Sequence, residues 1–130
     1  MKMLQPPGWT TPKGYANGVA ARGTLVFVSG QVGWNGQQQF ASDDFVAQAR
    51  QALENVVAVL REAGARPEHI VRMTWYVTDR VEYLTKVRAL GEAHREIIGR
   101  HYPAMTAVEV AALIEVRAKV EIEATAVVPD

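Results

Sequence analysis

Two carboxylates near the C-terminus are the side chains of this sequence best suited to acid–base chemistry. Glu121 and Glu123 stand two residues apart in "KVEIEATAV", so an extended strand points both side chains to one face. A carboxylate that acts as a general acid or base needs a raised pKa, which burial usually provides. The alternative is a pair of solvated acids on an edge strand, the most common environment for glutamate.

A third carboxylate, Glu109, lies in "HYPAMTAVEVAAL", which has the pattern of a loop followed by a strand from Met105 to Leu113. Strand periodicity puts Met105, Ala107 and Glu109 on one face, although the first two offer no polar chemistry to a cleft. Without a nearby arginine, Glu109 would favour a neutral or cationic ligand such as an amine. A glutamate in a salt bridge or a subunit interface is the alternative.

Three other polar features could take part in chemistry. Ser29, Gly30 and Gln31 follow an apolar run and mark either a ligand-binding strand end or a simple turn. His94 and His101 fit no metal-ligand spacing, so no metal site is predicted. His101 precedes the strand of Met105 and could transfer protons, although a surface position is the simpler interpretation.

Length, charge and cysteine content limit the class of protein. The 130 residues are 48% hydrophobic, which predicts one globular domain over residues 1–130. Lys plus Arg number 14, as do Asp plus Glu, and the basic residues are scattered, so no nucleic-acid partner is expected. The absence of cysteine excludes disulfides and thiolate catalysis. No signal peptide or membrane span is recognisable, so we expect a cytoplasmic protein without a membrane partner.

The first half of the chain has patterns for two strands and a helix. Two short apolar runs around Arg22 and Gly23 indicate a hairpin, after an opening segment typical of a loop or sheet edge. A helix is predicted after Ser42 as N-cap, and it ends at Gly64. Its apolar stripe consists of Phe45, Ala49, Ala52, Leu53, Val56, Val57 and Leu60.

The second half predicts a strand, one long helix and two closing strands, which gives the order β-β-α-β-α-β-β. Alternation from Val71 to Val77 indicates the strand. Thr78 or Asp79 caps a helix that runs to Gly99, and Ala118–Val127 is the last strand. The apolar positions of this helix include Val81, Leu84, Val87, Leu90 and Ile98.

The predicted sheet has more apolar surface than two helices can cover. The run from Leu25 to Val28 is apolar on both strand faces. Burial is worth about 25 cal/mol per Å2 of apolar area, so a bare second face is unfavourable. Self-association through the sheet is the simplest way to cover it.

Five segments, in order over nearly the whole chain, carry a family resemblance. They resemble the RidA/YjgF family of reactive imine and enamine deaminases, which is also labelled endoribonuclease L-PSP. The segments are "FVSGQVG", "ALENVVAVLREAGA", "IVRMTWYVTD", "YPAMTAVEVAAL" and "KVEIEATAV".

The resemblance implies a chorismate-mutase-like α+β fold, with one mixed sheet and two helices on one face. It implies a homotrimer whose sheets form a barrel-like core, with a cleft between each pair of neighbouring subunits. In those clefts the best-known branch hydrolyses enamines and imines of amino acids to 2-oxo acids and ammonia, and no metal or organic cofactor is needed.

The same resemblance assigns roles to residues, and two positions depart from the family. Met105 stands where an arginine clamps the substrate carboxylate, and Ala107 stands where a cysteine is frequent. A thioether cannot hold a carboxylate, and an anion desolvated without a counter-charge is unfavourable, so the usual 2-imino acids should bind poorly. Glu121 matches the glutamate that positions or activates water. Tyr15 matches a cleft-lining tyrosine, with a surface or interface aromatic as the alternative.

Three further positions stay open. Trp34 follows the Ser-Gly-Gln strand end, where it is either an aromatic wall for a flat ligand or a loop anchor. An asparagine that the family places near the cleft corresponds to Val87 or Arg88. Helical periodicity makes Val87 a core residue, whereas Arg88 either supplies a positive charge or is a solvated helix residue.

Three functions are therefore considered. The first is a RidA-like deaminase or hydrolase with altered substrate choice, acting on a small enamine- or imine-type molecule. The second is a trimer that binds a small molecule, or acts as a chaperone, without catalysis. The third is an endoribonuclease or translation inhibitor, which the neutral charge disfavours.

Overall fold

The computed structural model describes residues 1–130 and contains six strands, three helices and one short 3-10 turn. The strands are β1 Lys2–Leu4, β2 Gly18–Ala20, β3 Thr24–Val32, β4 Ile70–Val77, β5 Ala104–Glu109 and β6 Val120–Val128. The helices are α1 Phe45–Glu62, α2 Arg80–Thr85 and α3 Val87–Ile97, and the 3-10 turn is Pro67–His69.

A four-stranded mixed sheet forms the body of the fold, in the order β3-β6-β4-β5. β6 is antiparallel to both β3 and β4, whereas β4 and β5 are parallel. α1 lies across β3 and β6 on one face and packs on α3. On the opposite face, called the open face below, Leu25 and Phe27 are 60% and 74% exposed. The predicted α+β fold with helices on one face of a mixed sheet is confirmed.

The core forms where α1 meets the sheet. The predicted apolar stripe of α1 is confirmed, since all seven of its residues are buried. They pack with the inward side chains of the central strands, such as Met73 and Ile122. The predicted N-cap was wrong by two residues. Asp44 caps the helix by accepting from the Ala47 N–H, while Ser42 Oγ accepts from the Asp44 N–H, so the helix begins only at Phe45.

The second helical segment is broken, where a single helix was predicted. α2 ends at Thr85, α3 begins at Val87, and the Thr85 hydroxyl donates to the Val81 carbonyl over 2.7 Å. Threonine back-bonding of this kind bends helices. Asp79 is confirmed as the N-cap, since its carboxylate accepts two backbone N–H groups of α2. Because the break separates the apolar positions, Val87 is 55% exposed instead of being a core residue.

The predicted hairpin at Arg22 and Gly23 does not form. β2, in the first of the two apolar runs, pairs with β1, which lies in the opening segment predicted as loop or edge, and β3 pairs with β6. Gly23 has φ +144°, and a Cβ there would clash with the carbonyl of Val128. That close approach lets β3 start beside the end of β6. β5 is also shorter than predicted, because it ends at Glu109.

One buried amide ties α1 to the segment before β6. Gln48 is 1% exposed, and its Nε2 donates to the carbonyls of Ser42 and Arg117, at 3.1 and 3.0 Å. Its Oε1 accepts from the Lys119 N–H at 2.8 Å. Gly33, which directly follows β3, packs on the helix turn of Gln48, and a Cβ at Gly33 would lie 2.5 Å from the Gln48 Cβ. Gln48 therefore satisfies backbone groups that no secondary structure pairs.

Two histidines fix the loop that leads into β5. His94 Nε2 is 2.7 Å from the carbonyl oxygen of His101, and His101 Nε2 is 2.6 Å from the carbonyl oxygen of Ile70. Because a carbonyl oxygen only accepts, the Nε2 atom of each histidine must be the donor. Burial lowers the pKa of His94 from its usual 6.5, so the ring is neutral near pH 7. The loop before β5 is thereby attached to both α3 and β4.

Replacing Gln48 with leucine is expected to cost about 2–4 kcal/mol of unfolding free energy, because buried backbone groups lose their partners. Urea unfolding measures this. Gln51→Leu is the matched control on the same helix, since Gln51 bonds only the partly buried side chain of Asn55. The control should lose well under half as much. Equal losses in the two variants would contradict the anchoring role of Gln48.

Stability should fall as the pH drops below about 6.5. The lowered pKa of His94 means that the unfolded chain binds this proton more tightly than the folded chain. The contribution is complete above the unfolded pKa and is lost as the pH falls towards the folded pKa. Thermal melts from pH 8 to 5 measure the slope. His94→Gln keeps a donor for the His101 carbonyl and should flatten the dependence of the melting temperature on pH. An unchanged slope in this variant would refute the role of His94 in the pH dependence.

Candidate ligand site

An apolar cavity of about 430 Å3 separates α3 from β4 and β5. Met105 and Tyr15, both predicted site residues, meet in its wall, and Val87 lines it from α3. Arg88 is exposed and does not line it. The lining consists of Lys13, Gly14, Tyr15, Trp75, Tyr83, Val87, Leu90, Gly91, His94, Tyr102 and Met105.

The parallel pairing of β4 and β5 places Met105 in this cavity. Met105 pairs with Met73, which is fully buried beneath the helices, so both side chains point to the helix-facing side of the sheet. Trp75, two residues along β4, forms the floor and meets the ring of Tyr83 edge-on at 6.1 Å between centroids. Met105 is therefore half-buried among apolar and aromatic groups.

The aromatic wall of the cavity is uncharged. The His94 and Tyr102 rings stack at 5.1 Å between centroids and 11° between planes. Burial keeps His94 neutral, as described above, and burial also raises the pKa of Tyr83. No Asp, Glu or Arg lines the cavity, and Lys13 is the one lysine in its lining.

A second group of predicted site residues lies on β3 and β6. Ser29 and Gly30 form a β-bulge, because three residue steps on β3 match two on β6 between Val28 and Gln31. Gln31 Nε2 donates to the carbonyl and hydroxyl oxygens of Ser29 at 3.2 and 3.3 Å. The Glu121 carboxylate lies against Gly30, where any Cβ would clash with its Oε2. The bulge and a half-buried carboxylate thus form one unit.

Glu123 shares the open face with Glu121, as its position two residues along β6 predicts. Its Oε1 accepts from the Tyr76 hydroxyl at 2.7 Å. This hydrogen bond raises the pKa of Tyr76, and desolvation and the negative charge of Glu123 add to the effect. Tyr76 therefore acts as a donor that holds Glu123, which leaves Glu121 as the carboxylate beside the bulge.

The remaining predicted site residues lie outside the cavity. Glu109 Oε1 accepts from the Arg80 N–H at 2.7 Å, so this carboxylate helps to cap α2. Ala107 is exposed on β5. Trp34 forms a bridge with Phe40, and the two rings lie 5.8 Å apart. Trp34 thus contacts its own loop.

Eight lining residues of the cavity were not identified as site residues from the sequence: Lys13, Gly14, Trp75, Tyr83, Leu90, Gly91, His94 and Tyr102. A glycine in the interior of a helical pattern is a recognisable signal, since it is disfavoured there without a packing or functional reason. The others carry no local signal, because only the fold brings the N-terminal segment to α3.

The two groups of candidate residues lie apart within one chain. Met105 is on β5, at one edge of the sheet and on its helix-facing side, while the bulge of Ser29 and Gly30 is on β3 at the other edge. None of Ser29, Gly30 and Glu121 lines the Met105 cavity. No group of three or more His, Cys, Asp or Glu side chains could hold a metal ion. No helix combines the length and hydropathy that crossing a bilayer requires.

Comparison with known proteins identifies the fold and the family. The family model described as endoribonuclease L-PSP matches residues 9–128. A 2-iminobutanoate/2-iminopropanoate deaminase of Salmonella typhimurium is 40% identical over 113 residues, which are 87% of this chain and 86% of that protein. A conserved Rid-family protein of Yersinia pestis superposes with a TM-score of 0.85 at 28% identity, over 98% of both chains. Escherichia coli TdcF with bound serine has a TM-score of 0.69 at 34% identity, over 98% of this chain and 99% of TdcF. The chain belongs to the RidA/YjgF family.

Proposed function

We propose that the protein hydrolyses a small enamine- or imine-type molecule in clefts between copies of itself, and that its substrate is not one of the usual 2-imino acids. The main support for a site between copies is that the candidate residues form two separate groups within one chain. The Met105 cavity is at the β5 edge of the sheet and the bulge that Glu121 contacts is at the β3 edge, so a site that uses both would need a second chain. The family resemblance implies the arrangement, a homotrimer with its open sheet faces inward.

The chemistry assigned to the cleft is hydrolytic deamination. Water adds to the carbon of the C=N bond, the nitrogen leaves as ammonia, and a carbonyl remains. Glu121 is the group suited to accept the proton of water, because it is half-buried beside Gly30 and Tyr76 binds the neighbouring Glu123 instead. Backbone groups of Ser29 and Gln31 are the proposed ligand contacts.

The apolar surroundings of Met105 support an altered substrate. The relative from Salmonella is named for 2-iminobutanoate and 2-iminopropanoate, in which a carboxylate is attached to the imine carbon. Here Met105 lines the cavity together with Trp75, and no arginine lines it. An anion at that position would be desolvated without a partner. The TdcF structure holds serine, which supports a small molecule as the ligand class.

Binding without catalysis is the second candidate, and it is favoured by the loss of polar groups at both Met105 and Ala107. In that case the thermal midpoint would rise with ligand while no ammonia forms. A thermal-shift screen of enamines, amines, keto acids and ring compounds, followed by ammonia assays on each binder, separates the two candidates.

The wild type should not accelerate hydrolysis of 2-iminobutanoate, and Met105→Arg should. A charge-assisted pair with the carboxylate is expected to raise kcat/KM roughly 10- to 100-fold over the wild type. Ammonia release from freshly generated imine is the measurement. Met105→Leu is the matched control, since it keeps an apolar side chain of similar volume and should stay inactive. Wild-type activity equal to that of an arginine-bearing relative would refute the altered substrate.

The proposal that each site uses residues of two chains can be tested with variants that also carry Met105→Arg. Glu121→Gln removes the proton acceptor, and Gly91→Trp obstructs the cavity, so each variant alone should be inactive. Light scattering should report trimers. After unfolding and refolding as an equal mixture, about a quarter of the clefts would combine an intact cavity with an intact Glu121. Activity at that level is expected, whereas an inactive mixture or a monomeric mass would place the site within one chain.

A further inference from the structure

We propose that the Met105 cavity selects a ligand with a ring-sized apolar body and one anionic group, and that Lys13 binds the anionic group at the mouth of the cavity. This rests on the proposed function, because it names the ligand class of the same site. The anionic group of the ligand would then lie beside the N-terminal segment, away from the strand that carries Met105.

The first observation is the glycine in α3. Gly91 lies in the interior of the helix, has no positive φ, and would meet no atom within 4 Å if it carried a Cβ. Neither backbone conformation nor packing within the chain requires a glycine there, although glycine weakens a helix relative to alanine. The visible effect of the missing side chain is open space in the cavity, which Gly91 lines.

The shape and polarity of the cavity indicate an apolar ring. Leu90, Met105 and Trp75 provide apolar surface, and the stacked His94 and Tyr102 rings provide a flat wall. The volume of about 430 Å3 is typical of pockets that enclose small organic ligands, and it exceeds what a short imino acid needs. Aromatic ligands pack well against such walls.

The third observation is the charge at the mouth. Lys13 is exposed and takes part in none of the three ion pairs of the chain, so its ammonium group is free to bind a ligand. Within one chain, no carboxylate lines the cavity to attract an amine, and the Glu121 proposed to come from a second chain lies beside Gly30 instead of in this lining. Glu109, the acid that could have favoured a cation, is bonded to the Arg80 N–H instead. The charges therefore favour an anion over an amine of the same shape.

Calorimetry on the protein with four non-hydrolysable probes tests the inference: 3-phenylpropanoate, 3-phenylpropan-1-ol, 3-phenylpropylamine and butanoate. We expect 3-phenylpropanoate to bind at least about tenfold more tightly than the amine or butanoate. Lys13→Gln should remove most of the preference for the acid and leave the alcohol unchanged. Lys2→Gln, an exposed lysine outside the cavity, is the matched control and should change nothing. Equal affinity for acid and amine, or no effect of Lys13→Gln, would overturn the inference.

Gly91 variants test the space. Gly91→Leu should weaken the three phenyl probes about tenfold or more, because its side chain enters the space that the ring occupies. Gly91→Ala should raise the thermal midpoint, which shows that the position tolerates a side chain and that the helix still forms. If Gly91→Leu instead breaks the oligomer in light scattering while phenyl binding persists, the glycine serves subunit contact and the inference is wrong.

Failure of this inference and failure of the proposed function give different results. The probes cannot be hydrolysed, so their binding does not depend on catalysis. Lys13-dependent binding of 3-phenylpropanoate in a protein that releases no ammonia from any imine would refute the deaminase activity and support the ligand class. Imine hydrolysis without binding of the phenyl acid would do the reverse.

Discussion

The parallel pairing of β4 with β5 decides which face of the sheet each candidate residue occupies. Met105 pairs with Met73, so it shares the helix-facing side with the core. A slip of one residue would turn Met105 to the open face and bring Thr106 to the helices. The two histidine hydrogen bonds to backbone carbonyls hold the loop before β5, and they therefore hold this register. The position of Met105 in the cavity therefore depends on that pairing.

The same sheet order separates the two halves of the candidate site. β5 and β3 are the edge strands, and β6 and β4 lie between them. Apolar side chains such as Phe27 lie exposed on the open face, where burial against another chain would be favourable. In the proposed trimer, assembly would both cover that face and complete the site, whereas a monomer would hold the cavity without the proposed carboxylate.

Local patterns predicted what local interactions determine. The apolar stripe of α1 and the Asp79 cap follow from helical periodicity and capping chemistry, and both are present. The break between α2 and α3 was missed, because Val81, Leu84 and Val87 keep helical spacing across it.

Contacts between distant segments explain the rest of the differences. The hydrogen bond from the Arg80 N–H to Glu109 joins residues that are 29 positions apart in the sequence. Lys13, in the N-terminal segment, lines the same cavity as residues of α3, which begins only at Val87. The significance of Met105 came from the family resemblance, since a methionine in a strand is by itself unremarkable. Gly91 was not identified, although a glycine in the interior of a helical pattern is a recognisable signal.

The two halves of the site differ in how much change they tolerate. Gly30 cannot gain a side chain without displacing the Glu121 carboxylate, so the group proposed to handle water is fixed by close packing. Around the cavity the constraint is weak, because Gly91 touches nothing and Lys13 is exposed. Substitutions there change the shape and charge offered to a ligand at little cost to the fold. Membership of the family is therefore a stronger guide to the reaction than to the ligand, whose class we propose is set by the few side chains around Met105.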